Sequence, residues 1–280
     1  RVISADGKYI GGYTTNNTGG GVRQASVWFS NSNQRWLLTP LGTLGVSTSE
    51  VTAISNNMGY IAGKSTDVNG KTHAVIWAGD HITSKPIDLE VSATSNSRGS
   101  TVTTFSGDGS IAGGFTNLQF GAKSYDHATL WTDTGSWRNR VTLGTLRWGD
   151  VGASRVFAIS GDGRIVGGQA EIETGKQRAI IWQGENWSQK VQLGTMKDNN
   201  KESSRVHALS ADGSIAAGVE ITIPYEEHAL IWHGDNWQKE TRLETLLPDN
   251  SGSSMVNALS SDGKLAGGKA TADVRIDPET

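Results

Sequence analysis

The side chains that could do acid–base chemistry are few. Glu171 and Glu173, and Glu226 and Glu227, form two close acidic pairs. Two carboxylates about 5 to 9 Å apart can share the acid and base work of glycoside hydrolysis, but nothing in the sequence sets that separation, and solvated loop charges are the default. The six histidines are His73, His81, His127, His207, His228 and His233. His73, His127 and His228 recur at one position of a repeated word, where hydrogen bonding to a neighbouring strand is the expected task. There is no G-x-S-x-G elbow, H-E-x-x-H helix or glycine-rich phosphate loop. Asp-Gly dipeptides recur, but a lone aspartate per turn is a poor cation cage. The chain has no cysteine, which removes thiolate metal sites, disulfides and a cysteine nucleophile together and leaves the redox compartment open. No catalytic residue, cofactor or metal is therefore expected, and the chain reads as a non-enzyme.

The elements that must position these groups come from a repeat. Ser4, Ser55, Ser106, Ser160, Ser210 and Ser260 anchor closely similar text, VISADGKYIGG in the first unit and VFAISGDGRIVGG in the fourth, at spacings of 51, 51, 54, 50 and 50 residues. Asp6-Gly7, Asp108-Gly109, Asp162-Gly163, Asp212-Gly213 and Asp262-Gly263 supply the tight hairpin between a first and a second strand, because glycine accepts positive φ. The second unit reads Asn57-Met58-Gly59, and its hairpin is expected to be one residue longer. The paired glycines that follow mark close approach of neighbouring strands. A third strand carries QASVW, HAVIW, HATLW, RAIIW and HALIW, and a fourth closes on LGTL-like text. Nine of the ten tryptophans fall on this frame, with Trp148 outside it. Their large rings are expected to pack between stacked sheets.

A unit of four strands recurring six times, the last copy cut short, predicts an all-β fold: a β-propeller of four-stranded antiparallel blades, six in number, with seven the alternative. One domain spans 1–280, with repeats at about 1–47, 48–98, 99–153, 154–203, 204–253 and a partial 254–280. One further strand is expected over 272–276. A fourth strand for the sixth blade would have to precede Arg1, so native residues before it, or a short last blade, are expected. A net charge of −3 gives no global footprint for nucleic acid or an anionic membrane, and neither partner is expected. No run of 18 apolar residues and no basic, then apolar, leader occurs, so a mature, soluble segment with no membrane insertion is expected.

The words HAVIW, HATLW and HALIW, in register with the Ser-x-Asp-Gly hairpin, resemble the bacterial extracellular HAF repeat. Gln24-Ala25 and Arg178-Ala179 depart from its His-Ala, so the histidine is not required in every blade. The Ser-x-Asp-Gly hairpin also has a faint likeness to the Asp-box turn of sialidases, without that motif's trailing tryptophan. The HAF resemblance implies an extracellular or cell-surface location, as in autotransporter passenger domains, with an outer-membrane translocator fused outside this segment. It is compatible with a virulence role.

Four-stranded meanders put the turns between strands one and two, and three and four, on one face, and the remaining connections on the other. The first face has short repetitive turns. The second has variable loops, where binding usually sits: 13–23, 115–126, 147–154, 197–204 and 221–227. Phe115, Phe120, Tyr125, Arg147, Trp148 and Tyr225 are the candidate partner-binding residues, with Leu118 beside them, because aromatic and arginine side chains dominate interfaces. Some of them, Phe115 first, are alternatively covers for blade edges. The function expected is a secreted or surface-displayed module that binds a host-cell protein or glycan, as an adhesin or a receptor-directed signal. A carbohydrate-active enzyme and a passive spacer are the alternatives.

Overall fold

The Ser-x-Asp-Gly word folds as a closed local circuit. In the computed structural model, which describes residues 2–15, 21–30, 35–45, 48–56, 59–78, 85–90, 97–196, 202–222 and 226–272, the Ser210 hydroxyl donates to Asp212 Oδ1 at 2.6 Å, and the Ser214 N–H reaches the same oxygen at 3.0 Å. The Ser210 hydroxyl oxygen in turn accepts the Ile215 N–H at 3.0 Å. The circuit recurs around Asp6, Asp108, Asp162 and Asp262, each followed by a glycine at positive φ. Residues 57–58 lie outside the described residues. Even so, Ser55 closes on Tyr60 over the same span as Ser4 on Tyr9, so the second hairpin is not lengthened.

These hydrogen bonds fix a pH dependence. The serine hydroxyl is the main cause that holds the carboxyls of Asp6, Asp212 and Asp262 below their ordinary value, and the backbone N–H of Arg164 does so for Asp162. A depressed folded value means the contribution is full above the unfolded value of about 3.8 and is lost as pH falls through the folded value. The melting temperature is expected to drop between about pH 5 and pH 3. Asp212→Asn should start lower at neutral pH and drop less steeply; identical slopes in thermal melts would contradict the assignment.

Five of the hairpins open a four-stranded antiparallel sheet in sequence order. Blade four shows the pattern: Ser154–Ile159, Val166–Glu171, Gln177–Gln183 and Gln189–Gln192. Five such sheets are described, plus a sixth of two strands, Ser254–Leu259 and Ala266–Ala270. First strands of successive blades run side by side, so they are innermost and the fourth strands form the rim. This is a β-propeller of four-stranded blades, with six blade positions. The strand expected over 272–276 falls almost wholly outside the described residues.

Blade stacking follows a repeated code. The N–H of the alanine after the signature position, histidine in three blades and Gln24 or Arg178 in the others, donates to a serine hydroxyl on the next blade's first strand: Ala25 to Ser49 at 2.9 Å, Ala74 to Ser100 at 2.8 Å, Ala128 to Ser154 at 2.9 Å, Ala179 to Ser204 at 3.0 Å and Ala229 to Ser254 at 3.0 Å. Two residues on from Ser49, Ser154 and Ser204, a valine fills the space left by the first glycine of the preceding blade's pair, Gly11, Gly113 and Gly167. A Cβ on Gly167 would lie 2.8 Å from Val206, and one on Gly113 the same distance from Val156. The second glycine answers a different need. Opposite it the first strand bulges, as between Val156 and Ala158, and a Cβ on Gly63, Gly114, Gly168 or Gly218 would run into that strand's carbonyl oxygen.

Third-strand tryptophans complete the code. Trp77, Trp131, Trp182 and Trp232 are buried against the preceding blade, with indole N–H groups on Gly42 O for Trp77 and Gly194 O for Trp232. Trp28, in the first blade, is only half-buried, and with Ile10, Tyr13 and Trp36 it lines an open apolar cleft of about 460 Å³. At the other end of the stack, a Cβ on Gly267 would meet nothing within 4 Å. Ser204→Ala strips the buried Ala179 N–H of its acceptor and should cost about 1–3 kcal/mol. Equilibrium urea unfolding checks this, and an unchanged midpoint would mean that the junction does not depend on the bond.

Candidate functional site

Blade three stands out from its neighbours. Its second and third strands, Ile111–Phe120 and Lys123–Thr132, are ten residues each, against six and seven in blade four. The segment expected as a loop over 115–126 is therefore mostly strand. Its side chains pair across the ladder, Phe115 with Ala128 and Leu118 with Tyr125, around a two-residue turn at Gly121. The alternation of Phe115, Asn117 and Gln119 with Thr116, Leu118 and Phe120 was the available sign of strand.

The two sides of this hairpin do different things. On one, the Phe120 ring stacks on His127 at 4.8 Å and lies 6.3 Å from Tyr125. His127 is buried, and burial pushes its imidazole below the ordinary histidine value, toward the neutral form. On the other side, Asn117 donates to Asp126 at 2.8 Å. Asp126 accepts from the Arg155 guanidinium of blade four, and that guanidinium sits 4.7 Å over the Phe115 ring. Phe115 thus bridges two blades.

The connection from blade three to blade four lies beside this hairpin, close enough for the charges of Asp150 and Lys190 to act on His127. It carries Arg147 and Trp148, in a 3-10 turn over Trp148–Asp150. Arg147 donates to Glu171 at 2.6 Å and lies 3.9 Å from Glu173. The Trp148 backbone N–H donates to Glu173 at 2.5 Å, while Lys190 holds Asp150 at 2.6 Å and the Thr145 carbonyl at 2.8 Å. The Trp148 ring is 92% exposed. Phe115, Phe120 and Tyr125 on this hairpin and Arg147 and Trp148 on the connection that follows blade three thus lie at the same end of the blade, with Phe115 on the opposite side of the hairpin from Phe120 and Tyr125. Tyr225 lies outside the described residues.

Three of the four glutamates considered for acid–base work have a cation. Arg147 takes Glu171 and Glu173 and Lys269 lies 2.7 Å from Glu227, while Glu226 has, among the described residues, only the His228 ring, 3.6 Å away and already accepting from Arg242, in place of a cation. The repeated histidines differ among themselves. His73 bonds Asp88 at 2.9 Å, which raises its pKa, and His228 meets Arg242, so both reach the fourth strand of their own blade as expected. His127 has its aromatic stack instead, and no hydrogen bond to Nε2 among the described residues. Asp150, Asp126, Arg155 and Lys190 were not among the candidates. Asp150 had a signal, since LGTLRWGD and LETLLPDN both place Asp or Asn five residues after the threonine.

No protein-family model and no curated protein matches the chain, and no helix among the described residues is long and apolar enough to cross a membrane. Solved structures do match. A TolB-type protein from Agrobacterium tumefaciens superposes with a TM-score of 0.56 at 12% identity, over 86% of this chain and 78% of its own. TolB from Acinetobacter baumannii gives 0.56 at 13%, over 93% of this chain and 57% of its own. A puromycin-hydrolyzing peptidase from Mycobacterium tuberculosis gives 0.52 at 12%, over 94% and 44%, so this chain spans under half of that protein and little more than half of the second TolB. At such identities the likeness is one of fold: the chain is built as a β-propeller similar to TolB.

Proposed function

We propose that this propeller is a binding module that works outside the cytoplasm, secreted or displayed on a bacterial surface, and engages a host-cell protein or glycan through its second face where blades three and four meet. The observation that carries the reading is the Trp148 ring, 92% exposed at the same end of blade three as the aromatic hairpin of Phe120 and Tyr125. Tryptophan, tyrosine and arginine concentrate binding energy at interfaces, and here they stand on a rigid frame. The resemblance to extracellular repeats and the lack of cysteine agree with that location. A binding role is favoured over carbohydrate hydrolysis because Glu171 and Glu173 are held by Arg147 and Glu227 by Lys269, which commits these carboxylates to structural pairs.

The test is binding of the labelled domain to cultured animal cells. Saturable binding that excess unlabelled domain displaces is expected, weakened about fivefold or more by Phe120→Ala, the effect of losing over 1 kcal/mol at an aromatic hot spot. Absence of saturable binding across epithelial, endothelial and fibroblast lines would overturn the proposal.

A further inference from the structure

The loop that carries Trp148 has a twin two blades on. After blade three, Asp150 Oδ1 accepts the Thr145 N–H at 2.9 Å, Thr145 Oγ1 accepts the Arg147 N–H at 3.1 Å, and the Leu146 N–H donates to Glu171 O at 3.1 Å. After blade five, Asn250 Oδ1 accepts the Thr245 N–H at 2.6 Å, Thr245 Oγ1 accepts the Leu247 N–H at 3.3 Å, and the Leu246 N–H donates to Thr271 O at 3.0 Å. Asp150 and Asn250 share the left-handed conformation, at φ of 55° and 53°. A threonine hydroxyl and an Asx side chain thus close both loops with the same hydrogen bonds, although Gly149 takes a positive φ where Asp249 does not. Between them the first loop has Arg147-Trp148 where the second has Leu247-Pro248. The indole takes no part in the bonds that close the loop, since the twin closes in the same way with proline in its place.

We infer that Trp148 is an insertion anchor, whose ring enters an apolar pocket on a protein partner. This rests on the reading that the second face binds a host-cell ligand, and it names the class of that ligand. Two features favour protein over sugar. The ring stands at a protruding tip, followed by Gly149 and Asp150, both exposed and at positive φ, so solvent reaches both of its faces; a sugar covers one face of an aromatic ring, a pocket covers both. A sugar also needs polar groups free to grip its hydroxyls. Around Trp148 the donors are already engaged, Arg147 by Glu171 and Glu173 and Lys190 by Asp150. Engaged pairs around a central aromatic form a rigid polar rim, as at protein hot spots.

Binding isotherms on cells test this, with Trp148→Ala, Trp148→Phe and the twin-loop control Pro248→Ala, on cells untreated, stripped of N- and O-glycans, or shaved with protease. Trp148→Ala should raise Kd about 30-fold or more, as hot-spot tryptophans do, with an unchanged melting temperature. Trp148→Phe should recover part of the loss, Pro248→Ala should bind as wild type, and glycan removal should leave Kd unchanged where protease abolishes binding. Wild-type affinity in Trp148→Ala overturns the anchor. Trp148-dependent binding that disappears with the glycans overturns the protein partner and leaves the module. No saturable binding by the wild type overturns the underlying reading and the anchor with it.

Discussion

Gly168→Ala is expected to destabilise the propeller by about 3–5 kcal/mol, at the upper end of what single substitutions do, whereas Gly267→Ala leaves stability unchanged or slightly improved. Gly168 is the second glycine of its pair and Gly267 the first of its own, and the spelling of the repeat does not rank the two positions. The structure does. A Cβ at Gly168 would collide with the Arg155 carbonyl oxygen and press on the Trp182 ring, and the obstacle is backbone, pinned by the bulge that the blade repeats. A Cβ at Gly267 meets nothing within 4 Å, and alanine narrows the unfolded ensemble. At roughly 2–4 °C per kcal/mol for a chain of this order of size, calorimetry should separate the two variants by ~6 to 20 °C. Equal melting temperatures would show that the bulge yields and that the second glycine is not required by it.

The second large effect concerns the buried tryptophans. Trp232→Ala should cost about 3–5 kcal/mol, the usual loss for emptying a large aromatic site in a core, and Trp28→Ala well under half as much. The two occupy the same position of their units, but Trp232 is wholly buried against blade four while Trp28 lies on the open cleft of blade one. Phenylalanine replacements divide the cost further. Trp232→Phe loses the indole bond to Gly194 O, about 1 kcal/mol. Trp182→Phe loses no such bond, since the Trp182 indole N–H has no partner among the described residues. Denaturant midpoints at constant m-value provide the measurement. If Trp28→Ala proved as damaging as Trp232→Ala, the first blade would have to be covered as the others are.

The sequence showed the blades because their demands repeat. Ser210 and Asp212 satisfy each other within one hairpin, and Ala179 and Ser204 meet one unit later at a fixed spacing, so local chemistry announced long-range order. The site is not periodic, and its legibility was uneven. Trp148 stood out because the frame did not account for it, and Arg147 because it preceded Trp148. The strand character of Phe115 to Phe120 was hidden by Gly121 and by the absence of a comparable extension in other units. Pairs such as Arg155 with Asp126 and Lys190 with Asp150 join residues 29 and 40 positions apart, which no local pattern encodes. The length of the second hairpin was misjudged because Asn57-Met58 lacks the Asp-Gly spelling, although Ser55 and Tyr60 keep the same closing contacts.

The serine hydroxyl that ties each blade to the next makes the described chain a one-dimensional array, in which every sheet couples chiefly to its nearest neighbours. Such arrays unravel from their termini, because an end element has one coupling to lose and an interior one has two. Here the exposed strand Ala266–Ala270 and the half-covered Trp28 lie at those termini. Amide exchange should therefore be fastest in the outer blades and slowest in blades three and four. By the same gradient the Trp148 face is expected to stay ordered longest, so the surface proposed to make contact is carried by the part of the array least able to open.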